Sequence, residues 1–186
     1  MDQPLAAEPR SATPTPLPDR VPDEVLDITV WRSGDVTDMG ALITDSLEHL
    51  RPWMAWATHE PLDDARRLQM FNRWNRQRLR GHSARYATRH NGVLLGGSAL
   101  HRSVGPGGLD IGYWLGAHAT GQGYATRTAA ALVRAAFDQP DITFVQISHA
   151  TTNTHSAAVA QRLGFTPIST TAEATHWRLD RPDPRQ

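Results

Sequence analysis

A chain of 186 residues is long enough for one domain with a sizeable core and short for two ordinary ones. Its 19 basic and 19 acidic residues cancel, which argues against the basic excess of a nucleic-acid binder and against an acidic partner-binding tail. The chain holds no cysteine, so disulfides, thiolate metal sites and a cysteine nucleophile are excluded, and the nine histidines lack the spacing that sets two imidazoles on one helical face.

No metal is therefore expected. No apolar run approaches the roughly 20 residues of a membrane span, and the N-terminus lacks the apolar stretch of a secretory signal. The expectation is a cytoplasmic protein with no membrane contact and no direct nucleic-acid binding.

In chain order, residues 1–24 are rich in Pro, Ala, Ser and Thr and carry few bulky apolar groups. Such a segment cannot bury enough surface to offset its ordering entropy, so a disordered tail is expected. The domain proper is expected over 25–180, with a short tail at 181–186. Val25 to Trp31 alternates as a strand. Asp35 is placed to cap a helix whose apolar positions are Val36, Met39, Leu42, Ile43, Leu47 and Leu50. Pro52 interrupts, and Trp53-Met54-Ala55-Trp56 forms an aromatic connector. Pro61 is suited to the first position of a second helix, with Leu62, Ala65, Leu68 and Phe71 on its apolar side and a face dense in arginine. That face reads as solvated, with contact to rRNA or an acidic protein as the alternative.

A hairpin follows, Ala84–Arg89 and Val93–Leu100 around Asn91-Gly92, the dipeptide of a tight type I′ turn. Gly105 to Gly108 turns the chain into Leu109–Leu115. A glycine loop then opens a long Ala-rich helix near Tyr124–Phe137. A buried strand at Ile142–Ile147 follows, then a short helix from Asn153 closed at Gly164, and two last strands. The order β-α-α-β-β-β-α-β-α-β-β implies a mixed α/β sheet, antiparallel in its first half, with helices on its faces.

Two motifs carry chemistry. The first is Ile111-Gly-Tyr-Trp-Leu-Gly116 followed by His118-Ala-Thr-Gly-Gln-Gly-Tyr-Ala-Thr126. A strand that runs into a glycine loop at a helix start leaves backbone N–H groups free at the positive end of the helix dipole, a site suited to a pyrophosphate. Gly121 and Gly123 let the phosphates approach the backbone, although a plain tight turn would also use glycine there. A dinucleotide fingerprint fails because Thr126 stands at its last glycine position, and a Walker A loop fails for want of Gly-Lys-Ser/Thr. The second motif is Asn153-Thr-His-Ser156 before Leu163-Gly-Phe165, where Asn153 is also a good helix cap.

These motifs in this order, with the Trp53–Trp56 stretch, resemble the GNAT acetyltransferases, specifically the RimJ/RimL-type branch that acetylates N-terminal α-amines of ribosomal proteins. The resemblance covers about residues 26–180. It implies the GNAT fold, a twisted and mostly antiparallel sheet of about seven strands flanked by about four helices. It implies acetyl-CoA as co-substrate, with the pyrophosphate on the backbone of Gln122, Gly123, Tyr124 and Ala125, within a loop reaching from Gly121 to Thr126. Main-chain groups of Tyr113, Trp114 and Leu115 would pair with the pantetheine arm, and Asn153 would bond it. Ser156 would protonate the leaving thiolate. His118 stands where the family often has Gln or Arg, which weakens a side-chain phosphate contact there.

The family often carries Glu just before the Ile-Gly-Tyr run; here that position is Asp110, one methylene shorter, expected as general base, directly or through a water. Asp110 also fits a solvated carboxylate at a turn end. His101 and Tyr86 are reserve candidates. Trp53, Trp56 and Trp114 are candidates for the acceptor mouth, or for core packing. The acceptor expected is a protein N-terminal α-amine. The alternatives are a small-molecule amine such as a polyamine, antibiotic or amino acid, or a non-catalytic acyl-CoA-binding role. A monomer or homodimer is expected.

Overall fold

The structure, a computed structural model, describes residues 14–183. The strands are β1 (Arg20–Val21), β2 (Asp27–Val30), β3 (Ser83–His90), β4 (Val93–His101), β5 (Gly108–Leu115), β6 (Phe144–Ala150), β7 (Thr166–Thr170) and β8 (Ala174–Asp180). The helices are α1 (Val36–Asp45), α2 (Leu47–Leu50), α3 (Asp64–Leu79), α4 (Tyr124–Phe137) and α5 (Thr154–Arg162). Among the described residues the strands form one open sheet in the order β1-β2-β3-β4-β5-β6-β8-β7. Every neighbouring pair is antiparallel except β5 and β6, which run parallel. The mixed α/β class stands as expected. Relative to the expected seven strands and four helices, the additions are β1 and the single turn of α2.

Helices cover both faces, and strand alternation sorts the residues between them. On β5, Leu109, Ile111, Tyr113 and Leu115 join the core under α4 and α5, together with Leu132, Val145 and Ile147. Trp114 turns the other way, into a second core of Trp31, Met39, Ile43 and Phe71 beneath α1 and α3. The hairpin turns as expected, with Asn91 at φ 51° and Gly92 at φ 80°.

Several local expectations are corrected. The segment expected as a disordered tail to residue 24 packs from residue 14 onward; residues 1–13 and 184–186 lie outside those described. Leu17 and Val21 are each 1% exposed. Leu17 exchanges backbone and side-chain hydrogen bonds with Arg78, the Tyr86 hydroxyl donates to the Pro18 carbonyl (3.0 Å), and β1 extends the sheet beside β2. Two well-placed apolar side chains suffice, because the segment's backbone groups are satisfied by residues of the domain. Leu17→Ala is expected to cost about 2–5 kcal/mol of stability, visible as a lowered melting temperature; an unchanged melt would show that the segment contributes nothing.

The cap assigned to Asp35 is the second correction. Its carboxylate accepts from its own turn at Arg32 N (2.8 Å) and from Arg89 (2.7 Å) instead of from α1. The helix expected to run to Leu50 breaks at Ser46, whose hydroxyl accepts from Ala117 N (3.1 Å) in the loop after β5. Pro61 is not the first residue of α3; Asp63 caps that helix by accepting from Arg66 N (2.8 Å). Finally, the apolar side of α3 is not the one that Leu68 marks, which is 38% exposed. The buried residues are Arg67 and Phe71, and the Phe71 ring stacks on Trp31 (5.7 Å) and Trp74 (5.5 Å). Arg67, expected on a solvated basic face, is buried and grips Glu60 through two bonds of 3.1 and 2.8 Å. That pair ties α3 to the connector carrying Trp56.

Candidate active site

The parallel pairing of β5 and β6 sets the geometry. Register pairs run from Gly108–Phe144 to Ile111–Ile147 and then stop. β5 continues to Leu115, still bonded to β4 on its other edge, whereas β6 continues to Ala150 bonded to β8. The strands therefore part, and the edge of β5 from Gly112 to Leu115 lies open toward a gap. An extended chain laid in that gap would meet free N–H and C=O groups as a further strand would.

The glycine loop closes one end of the gap. Gly121 and Gly123 adopt φ 74° and 80°, a left-handed conformation that side chains other than glycine rarely take, and nothing crowds either position. Among the described residues, no backbone N–H from Gly121 to Thr126 donates to a protein acceptor; the first that does is Arg127 N, to Gly123 O (3.1 Å). Six successive donors at the start of α4, on the positive end of its dipole, form an anion cradle. The His118 carbonyl accepts from the Gln122 side chain (2.9 Å), which braces the loop while the His118 side chain stays exposed. The Tyr124 hydroxyl is held 2.9 Å from His90 Nδ1.

On the α4–α5 face stand Tyr113, Asn153 and Ser156. Asn153 caps α5, its Oδ1 accepting from Ser156 N (3.1 Å), which leaves its amide N–H groups to donate elsewhere. The Tyr113 hydroxyl is buried without a well-aligned hydrogen-bond partner. Burial pushes its pKa up, and interaction with the Ser156 side chain draws it partly back.

On the opposite face stand Asp110 and Trp114. Asp110 Oδ1 is buried with no hydrogen-bond partner among the described residues. Burial raises the Asp110 pKa to about 6, against a smaller lowering by His176. Asp110 as a whole is half-buried, and only its Oδ1 is shut away from solvent, which sets it apart from a fully solvated turn-end carboxylate. Trp114 packs against Gly97, where an added Cβ would stand 2.6 Å from its indole nitrogen. Its ring meets Trp56 edge-on at 5.4 Å. Trp56 is 36% exposed and Trp53 half-buried, so the connector presents aromatic surface beside Asp110's face of the sheet.

The two reserve bases fare differently. His101 pairs with Asp110 across β4 and β5, but burial and Arg85 push its pKa down to about 4, leaving it a weaker proton acceptor than Asp110 at neutral pH. Tyr86 is corrected outright: it is fully buried, points to the α4 face and donates to Pro18 O, away from the acceptor side. Burial also pushes its pKa far up. Sequence reasoning missed His176, whose Nδ1 lies 2.8 Å from Ser148 Oγ. No local motif marks it, and only the register of β5, β6 and β8 brings it to this face.

Comparison with known proteins agrees with this geometry. The chain is 26% identical over 144 residues to a Bacillus subtilis (strain 168) protein named "Putative ribosomal N-acetyltransferase YdaF", covering 77% of this chain and 79% of that one. The fold superposes with a TM-score of 0.78 on RimL, the ribosomal L7/L12 α-N-protein acetyltransferase in complex with coenzyme A, at 18% identity over 87% of this chain and 97% of that one. It superposes equally, at 0.78 and 16% identity, on the microcin C7 self-immunity acetyltransferase MccE in complex with acetyl-CoA and AMP, over 86% of this chain and 94% of that one. Residues 26–166 match the acetyltransferase (GNAT) domain family, well over half of the chain, and the chain belongs to that family.

Proposed function

We propose that this acetyltransferase moves an acetyl group from acetyl-CoA directly onto the α-amine of a protein N-terminus. The observation that carries the donor assignment is the gap between β5 and β6 ending at six unpartnered N–H groups. A pyrophosphate fits the cradle of Gly121 to Thr126, and a pantetheine arm fits the open edge of Tyr113, Trp114 and Leu115. Its amide can also meet the Asn153 side chain. Coenzyme A supplies the activated thioester. Ser156 protonates the sulfur from the α5 face; of the two protons that the acceptor ammonium loses in becoming an amide, Asp110 takes one from the other face and the second replaces the one Ser156 gives up. The reacting carbonyl then lies in the gap between acid and base, and the transfer needs no covalent enzyme intermediate.

The α-amine reading is supported by the names of the relatives, a ribosomal N-acetyltransferase and an α-N-protein acetyltransferase. Chemistry agrees with it. An α-amine with a pKa of ~7.7–8.0 is deprotonated far more readily than a lysine side chain near ~10.4, which suits a carboxylate base of only about 6. Thiol release from acetyl-CoA, measured across N-terminal peptides, polyamines, amino acids and aminoacyl nucleotides, tests it. Peptides should lead by kcat/KM and lose their advantage when the N-terminus is blocked. Faster turnover of a small amine would move the assignment to small-molecule acetylation.

The cradle has its own test. Coenzyme A at about 100 times its Kd should stabilise the wild type by about 2.7 kcal/mol. Gly123→Val forces a β-branched residue to φ 80°, a conformation costing about 1–3 kcal/mol, so the loop should reshape and lose most of that ligand-induced shift. An equal shift in wild type and variant would make the loop only a turn.

A further inference from the structure

Two charged side chains inside the molecule take no part in the chemistry described above: Glu60, at the end of the aromatic connector, and Arg67 on α3. Their side chains are 4% and 1% exposed. Arg67 holds both carboxylate oxygens of Glu60, at 3.1 and 2.8 Å, and Glu60 Oε2 also accepts from Leu62 N (2.7 Å). Arg67 Nε is buried without a partner among the described residues. An ion pair taken out of water stabilises a fold little more than apolar side chains of similar volume would, and an unpartnered buried N–H adds a further cost. What such a pair supplies is direction, because two parallel bonds between planar groups fix an angle as well as a distance.

That direction bears on Trp56. One short 3-10 turn, Ala55–His59, carries Trp56 and runs straight into Glu60. Ala57, within the turn, is fully buried in the core beneath α1 and α3. Trp56 faces outward and meets Trp114 edge-on, with ring centres 5.4 Å apart. The Ala57 methyl sets the depth of the turn, and Glu60 in the grip of Arg67 sets its rotation. Trp114 stands on the same face of β5 as Gly112 and Asp110. Across the ladder to β4, these three pair with Gly97, Ala99 and His101. The sheet surface between the Asp110 carboxyl and the two indoles is thus floored by two small residues, Ala99 and Gly112.

We propose that the Glu60–Arg67 pair is a positioning device for acceptor binding: it holds Trp56 against Trp114, so that the two rings form the end wall of the acceptor slot. This rests on the reading of the Asp110 face as the acceptor side. A chain end lying over Ala99 and Gly112 packs its first side chains on that wall. Aromatic pairs hold a defined edge-on or offset geometry, and a swing of one ring forfeits the shared surface. Neither Glu60 nor Arg67 touches the substrate; both act through Trp56. Coenzyme A lies beyond their influence, because β4 holds the edge-bearing strand β5 and the anion cradle belongs to the start of α4.

The test uses the full chain with acetyl-CoA and the best amine found, in wild type, the Glu60→Gln/Arg67→Met double variant, Arg67→Lys, Trp56→Phe and Trp56→Ala. The double variant leaves no buried charge, and its new amide can still accept from Leu62 N. In it, KM for the amine should rise about 10-fold, the scale of losing an aromatic anchor. Its kcat should stay within about threefold of wild type and its KM for acetyl-CoA within about twofold, the pattern of lost ground-state binding. Arg67→Lys keeps the charge but loses the planar fork. It should raise the same KM by a smaller factor, and it carries the test where the double variant does not fold. Independently of turnover, the exciton band of the Trp56–Trp114 pair in circular dichroism, identified as the part lost in Trp56→Phe, should weaken in the double variant. A wild-type amine KM in the folded double variant or in Trp56→Ala, an equal loss with acetyl-CoA, or an unchanged exciton band would each overturn the positioning role. A wild-type rate in Asp110→Asn would instead overturn the reading of that face on which it rests.

Discussion

Asp110→Asn is expected to lower kcat/KM with the best amine by about 10²–10⁴-fold, the usual contribution of a positioned base, while coenzyme A binds as before. The asparagine keeps the volume and removes only proton affinity. Asp110 titrates at about 6, because burial disfavours its charged form. The working form is the carboxylate, so wild-type kcat/KM should fall as pH drops below about 6, and that limb should vanish from the residual activity of Asp110→Asn. A limb that survives the substitution would belong to the substrate or to another group, and Asp110 would then be no base.

The same substitution should stabilise the fold. The folded pKa is raised above the ordinary value of 3.8. The neutral acid is thus favoured in the folded chain, and stability from this site is complete below about pH 4 and lost as pH rises through about 6. At neutral pH the wild type carries a half-buried carboxylate whose Oδ1 is buried with no partner among the described residues, and a neutral asparagine removes that burden, worth on the order of 2 kcal/mol. A variant that melts higher and turns over far more slowly is the signature of a site kept for chemistry at the expense of stability. A lower melt would mean that the carboxylate is held by structural bonds.

Local chemistry explains which parts of this molecule were legible in the sequence. Gly121, Gly123 and Gly164 sit at positive φ, as their places beside helix ends required, and the Asn91-Gly92 turn closed the hairpin. Asn153 capped α5 as its type and position implied. What stayed hidden depends on partners distant in sequence. Arg67 looked like a surface arginine because hydropathy does not show that Glu60 waits inside for it. Leu17 was lost in a proline-rich stretch whose average says nothing of one side chain filling one hole. Asp35 had the right residue type for a helix cap, but Arg89 on β3 supplied a charged competitor. At the site, Asp110 and Ser156 were nameable from motifs. Their placement on opposite faces of a parting strand pair, and the arrival of His176, follow from sheet register alone.

Ser156→Ala should lower kcat about 10–10³-fold, by analogy with other positioned proton donors, and leave coenzyme A affinity nearly unchanged. Ser156 stands one helical turn after Asn153, whose Oδ1 accepts from the Ser156 backbone N–H, and its side chain lies near the Tyr113 hydroxyl. Burial keeps the Tyr113 phenol protonated, so it can donate to Ser156 Oγ and free the serine's own hydrogen for the sulfur. An interaction formed only as the thioester breaks lowers kcat and kcat/KM together, whereas one formed in the bound state raises KM. The cap itself does not depend on the Ser156 hydroxyl, since Asn153 Oδ1 accepts from the backbone N–H that alanine retains. Ser156→Ala should therefore melt within about 0.5 kcal/mol of wild type, which separates catalysis from folding in one variant. Tyr113→Phe removes the phenol while leaving Ser156 in place, and should cost less than Ser156→Ala if the serine hydrogen is the one transferred. Wild-type turnover in a normally folded Ser156→Ala would remove the serine from the reaction, and a larger loss in Tyr113→Phe would pass the proton-donating role to the phenol.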